Sequence, residues 1–426
     1  MVENSNKGFF GYKAVVGAFL VMFVNLGVCT TLGVFLASLA EYSEWDLGTV
    51  GYIGTVNTIG NIVLSIVAVK SLEKLGVRKT MLISIICCAA HMCFYCMVQP
   101  GRTTMSLIFM YIAGFLASFS ITFGTHAACS TVIAKWFIEK REHLTGIVFS
   151  GAGFGAAIWV FLAGQLFKVT DYKGCYRVII ILTLVIGLAA IFLLVKEPEK
   201  LGQKPLGWEK AEKASGDSVE AAELPGIEKA SAMKTPSFWL LAAALLCVCS
   251  AGSTFMAYSP AWWQQNGWSA TAASNWDALY LLLSGFVLLF VGKILSKVKV
   301  SVFVIGVCVA YAVAAIVSSM MNGSPVAMMM ILIVLFGALA YPLSASIPGL
   351  MGQSIFGAKD AAAISATLMT AVYLGQALYN PIVARFLASP GGFPAAWRFF
   401  AGAALLGMVL ILAAIAMSPM NKKQAK

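Results

Sequence analysis

Twelve long apolar runs, interrupted once by a polar stretch, make up the pattern of this chain. A membrane-crossing helix needs about 20 predominantly apolar residues. Runs of that length fall near 12–40, 50–69, 81–98, 106–134, 144–167 and 178–195. They resume near 238–262, 273–295, 302–321, 326–351, 361–387 and 399–417. Between the two sets, residues 196–235 carry fifteen charged side chains in a chain that is only 11% charged. The pattern predicts an all-α integral membrane protein. Its expected parts are an N-terminal six-helix bundle (1–195), a linker (196–235), a C-terminal six-helix bundle (236–417) and a short tail (418–426). Pro198, Pro205 and Pro225, with no sustained apolar period, fit a linker bearing at most short surface helices.

Composition agrees with the pattern. The chain is 60% hydrophobic with a mean hydropathy of +0.87, far from the balance of a soluble domain. The net charge of +11 would suit a nucleic-acid partner if it formed a surface patch. Most of the 29 Lys and Arg residues instead sit in alternate loops, in 196–235 and at the two ends. By the positive-inside rule this places both termini and the linker on the cytoplasmic face of the cell (inner) membrane, and no nucleic acid is needed. Lys7 and Lys13 before the first run imitate a signal peptide, but no small-residue cleavage site follows, and the run is read as the first span. The ten cysteines fall mostly in apolar runs, without the spacing or His partners of a zinc site. No metal, cofactor or catalytic constellation is expected.

Three landmarks recur at an offset of about 220 residues: Trp45 and Trp268, Phe137 and Phe356, Arg177 and Arg398. The chain therefore reads as a duplicated six-span unit. The loop from Val69 to Lys79 is similar to the motif G-x-x-x-D-R-x-G-R-R, with Glu73, Lys74, Gly76 and Arg78 at matching positions. Val69 and Val77 depart from it. A second copy, Gly292 to Lys299, keeps the glycine and loses the acid. Lys135-Trp136-Phe137, then Lys140-Arg141 and Gly146, resembles R-W-F-x-x-x-R-G-x-A-x-G, with Glu142 in place of its first glycine. Lys234 to Trp239 resembles the lead into a seventh span. Together these features resemble the major facilitator superfamily, and within it the monocarboxylate and oxalate:formate antiporter-like branch. The resemblance implies two pseudo-symmetric six-helix bundles, alternating access, and a gating latch at Glu73, Gly76, Arg78 and Lys79.

Candidate binding residues are the polar groups inside apolar runs, because each is costly in lipid unless it meets a cavity or a partner. His126 lies in the fourth run on an expected stripe with Ser118, Thr122, Thr125, Cys129 and Ser130. It is a candidate for both substrate and proton. Asp277, near the start of the eighth run, is the second candidate coupling group, with a helix-start acid held by the dipole as the alternative. Asn25, Thr30, Asn57, Asn61, Tyr258, Tyr341, Tyr373, Gln376 and Asn380 complete the expected substrate-binding set, with interhelical hydrogen bonding as the alternative for each. Gly146, Gly151, Gly153 and Gly155 in the fifth run are read as helix packing.

One absence narrows the solute. The resemblance implies basic residues in the eighth and eleventh spans of dicarboxylate carriers, and neither 280–291 nor 362–384 contains Lys or Arg. Two negative charges without a cation are expensive in low dielectric. The expected function is a monomeric secondary transporter for a monocarboxylate-type organic anion, with a co- or counter-transported proton or anion. An exporter of neutral or amphipathic solutes and a transporter-like sensor remain the alternatives. An enzyme is not expected.

Overall fold

A computed structural model describes residues 9–139, 141–208, 226–295, 297–341, 347–357 and 360–419. Helices are the only regular elements among them. In lipid every backbone donor and acceptor must be satisfied within the segment, and uniformly apolar sequences meet that demand as helices. In chain order these are α1 (Gly11–Thr30), α2 (Leu32–Ser43), α3 (Leu47–Leu75), α4 (Val77–Cys96), α5 (Thr104–Gly124), α6 (His126–Trp136), α7 (Arg141–Leu166) and α8 (Tyr172–Ala189). A π turn, Ala190–Leu194, extends α8. Then follow α9 (Lys229–Ala232), α10 (Pro236–Gln265), α11 (Ala270–Leu295), α12 (Val300–Ser319), α13 (Ala327–Ala340), α14 (Ile347–Phe356), α15 (Ala361–Leu387) and α16 (Gly392–Ala416).

Nine helical stretches among the described residues are long and apolar enough to cross a membrane, two of them joining α1 to α2 and α5 to α6. The predicted eighth and eleventh spans coincide with α11 and α15, and the tenth with α13 and α14. Large apolar side chains such as Val63, Ile181, Val185, Leu406 and Val409 are exposed, as a lipid-facing surface requires. Local signals set several boundaries. The Thr103 side chain accepts from the Ser106 amide at the start of α5, Asp171 does the same for Gly174 in α8, and Pro236 opens α10.

The chain forms two compact units. One comprises 1–32, 42–44 and 59–221; the other comprises 33–41, 45–58 and 222–426. In the first, α1 lies close against α7, where a Cβ on Gly27 would meet the Gly155 backbone and one on Gly155 would meet Phe23. Gly151 meets Phe19 in the same way, whereas Gly146 faces open space. In the second, α10 packs against α15 and α16, and Ser250 donates to the Gly375 carbonyl at 2.8 Å.

The polar stretch 196–235 is attached on either side of residues 209–225. Leu206 pairs with the end of α6, its amide donating to the Trp136 carbonyl at 2.8 Å and its carbonyl accepting from Ile138 at 2.9 Å. Ile227 donates to the Phe356 carbonyl at 3.0 Å, and the Lys229 amide donates to Asp360 at 2.9 Å. The landmarks Phe137 and Phe356 thus receive Leu206 and Ile227, each within its own unit. Residues 209–225 lie outside the described structure.

Candidate functional site

In the first unit the predicted residues separate into distinct roles. Asn25 is fully buried. Its Nδ2 donates to Ser84 Oγ at 3.1 Å and its Oδ1 accepts from Ser120 Oγ at 2.7 Å. One amide thereby joins α1, α4 and α5, and it serves as interhelical glue. Thr30 spends its hydroxyl on the Leu26 carbonyl of its own helix, at 2.7 Å. Asn61, on α3, is half-buried and is not free of partners.

The polar stripe around His126 does not form one continuous face. The helix breaks at Thr125 (φ −111°, ψ −124°), so α5 and α6 are separate helices. On the α5 side Thr122 and Thr125 donate to Ser118 and Ile121 carbonyls at 2.7 and 2.5 Å. Hydroxyls in an apolar helix close such bonds to the preceding turn when nothing better is near. Cys129 is buried, while His126 is exposed and its ring stands edge-on against Phe149, 4.6 Å away. Sequence spacing alone assumes an unbroken helix, and the break at Thr125 places His126 at the start of α6, on a different helix from Ser118 and Thr122.

The motif residues lie at the α3–α4 corner. Gly76 takes φ +77° at the start of α4, a conformation that favours glycine. Thr80 Oγ1 donates to its carbonyl at 2.9 Å and lies 3.0 Å from Ser71 Oγ. Glu73 and Lys79 are exposed, and among the described residues neither forms an ion pair. Arg78 instead donates from Nη2 to the Phe192 carbonyl at 3.1 Å and covers the Phe192 ring at 5.0 Å.

Beside it lies a cluster that the sequence reading did not assemble. Lys135 Nζ meets Glu197 Oε1 at 2.8 Å and Lys200 Nζ meets Oε2 at 3.0 Å. Hydrogen bonds from Lys135 and then Lys200 hold the Glu197 carboxyl below its ordinary pKa. Trp136 Nε1 donates to the Lys196 carbonyl at 2.8 Å. The matching of Lys135-Trp136-Phe137 to a family signature was the one sequence signal pointing here.

The second unit holds a polar cluster on α3, α10 and α15. Tyr258 OH donates to Asn380 Oδ1 at 3.1 Å, and Tyr379 stands edge-on to Tyr258 at 6.2 Å. Both Tyr258 and Asn380 are buried, and the Asn380 Nδ2 has no acceptor among the described residues. The N-terminal part of α3 comes close enough that a Cβ on Gly51 would meet Tyr258, and one on Gly54 would meet Asn380 and Tyr379. Asn57, one turn further along α3, is half-buried and has a partner. Tyr373 and Gln376 are half-buried on α15.

Asp277 is 4% exposed. Because α11 begins at Ala270, this carboxylate lies two turns inside the helix, beyond the first turn where the dipole is felt. The reading as a helix-start acid therefore fails. No ion pair or hydrogen bond reaches Asp277 among the described residues. Tyr280 follows one turn on and packs against Tyr341 and Phe255, with ring centroids 6.3 and 5.5 Å away.

A family model described as Major Facilitator Superfamily matches residues 18–378. The chain belongs to this superfamily. Solved structures agree at the level of fold. A nucleoside transporter NupG is similar over 95% of this chain and 98% of its own, with 14% identity and a TM-score of 0.68. A bacterial homolog of the human lysosomal transporter Spinster covers 97% of both chains at 13% identity, with a TM-score of 0.66. A D-xylose-proton symporter covers 96% of both at 13% identity, with a TM-score of 0.65. No curated protein sequence matches. The superfamily member is accordingly a multi-pass membrane transporter and not an enzyme.

Proposed function

We propose that this superfamily member carries a small monocarboxylate-type organic anion by proton-linked transport or exchange, as its resemblance to the monocarboxylate branch suggests. The observation that carries the reading is Asp277. A buried carboxylate without a cation beside it is costly as a charge and tolerable as a neutral acid, which suits a group that takes up and releases a proton during the cycle. Neutral donors such as Tyr341 and Gln376 suit one negative charge better than two. In this reading both termini face the cytoplasm of the inner membrane, 196–235 tethers two six-helix halves, and the monomer alternates its access.

Uptake of labelled short monocarboxylates into proteoliposomes, with and without an imposed pH gradient, tests it. Saturable flux that the gradient accelerates is expected. Absence of saturable flux for every carboxylate overturns the reading.

A further inference from the structure

The first unit contains a cavity of about 220 Å³ lined by Val77 and Arg78 of α4, Val132, Lys135 and Trp136 of α6, Val195 after the π turn, and Lys196, Glu197, Lys200 and Leu201 of the polar stretch that follows. Its charge is lopsided: four cations face one carboxylate. Glu197 is already shared between Lys135 and Lys200. Arg78 and Lys196 are left with no carboxylate among the described residues, Lys196 resting on the Phe10 ring at 5.2 Å. The Arg78 Nε is buried without a hydrogen-bond partner, an uncommon state for a guanidinium donor.

The first turn of α4, a 20-residue helix whose N-terminus no side chain caps, forms part of the same wall. Unsatisfied amides and the dipole there favour an anion. The volume is roughly that of seven waters at ~30 Å³ each, enough for a tetrahedral oxyanion with part of its hydration.

We propose that this cavity binds a phosphate-type oxyanion, either free inorganic phosphate or the phosphate of an anionic lipid headgroup. Basic pockets at the ends of membrane helices suit both sources. The occupant would contact the Arg78 guanidinium and Lys196, and draw Lys135 and Lys200 partly away from Glu197. It would thereby link α4, α6 and the linker. The proposal concerns binding alone and is independent of the solute carried.

The test uses the full chain in nanodiscs, wild type and the double variant Lys196→Gln/Lys200→Gln, with Lys168→Gln on another loop as control. Two arms are run: radiolabelled inorganic phosphate against phosphatidylcholine discs at constant ionic strength, and thermal melts in phosphatidylcholine discs with and without phosphatidic acid. Saturable phosphate binding weakened at least about tenfold by the double variant, and not by the control, supports a free-phosphate site. A rise in melting temperature that requires phosphatidic acid and disappears in the double variant supports a lipid site. Matched melting temperatures of the variants in pure phosphatidylcholine exclude misfolding as the cause of either loss. Binding or stabilisation that the double variant leaves unchanged, or absent in both arms, overturns the proposal.

Discussion

Among single residues, Asn25 and Asn380 show how similar amides in apolar helices reach different ends. Asn25 has two serine partners on two other helices, so Asn25→Leu should lower stability by about 1 kcal/mol, read as a fall in melting temperature in detergent. An unchanged melt with abolished transport would instead return Asn25 to the binding site. The sequence marked both amides as polar groups in apolar runs. It could not separate their roles, since Tyr258 and Asn380 are 122 positions apart and no local spacing reports such a pair. Glu197 gives a pH signature. Its folded-state pKa is lowered by Lys135 and Lys200, so its stabilisation is full above the ordinary carboxylate value and is lost as pH falls through the lower folded one. Glu197→Gln should cost about 0.5 kcal/mol at neutral pH, and the difference from wild type should fade in melts below about pH 4. High salt should shrink it as well.

At the level of elements, the glycines of α7 divide by what they face. Gly155→Ala would press on the Phe23 backbone and should cost about 1–3 kcal/mol. Gly146→Ala enters open space and should stay within about 0.5 kcal/mol of wild type. Paired thermal melts check both; equal losses would mean that the α1–α7 approach does not set the cost. The helices themselves were readable because lipid leaves an apolar run of this length one choice of backbone. The break at Thr125 was not, since hydropathy is high on both sides of it and the hydroxyls of Thr122 and Thr125 look the same in either geometry. The attachments of Leu206 and Ile227 escaped notice for a related reason. Each is a backbone pairing that side-chain pattern does not encode, although Phe137 and Phe356 had already stood out as landmarks of the duplication.

For the molecule as a whole, the proposed proton-linked reading makes Asp277 the residue to test. Asp277→Asn should keep the fold, abolish uptake driven by a pH gradient, and leave exchange of labelled for unlabelled solute largely intact. Gradient-driven uptake equal to wild type would remove Asp277 from proton coupling. Family membership and the all-helical architecture were accessible from hydropathy, duplication and motif. The division into units was not, because residues 33–41 and 45–58 join a unit otherwise made of 222–426, against the order of the chain. That arrangement has a consequence for biosynthesis. The early segments leave the ribosome long before the helices that bury them exist. At ~5–20 residues per second the wait is roughly ten to sixty seconds. During that interval Gly51 and Gly54 have no Tyr258 or Asn380 to pack against, and the nascent chain exposes a surface on which insertion chaperones and quality-control proteases can act.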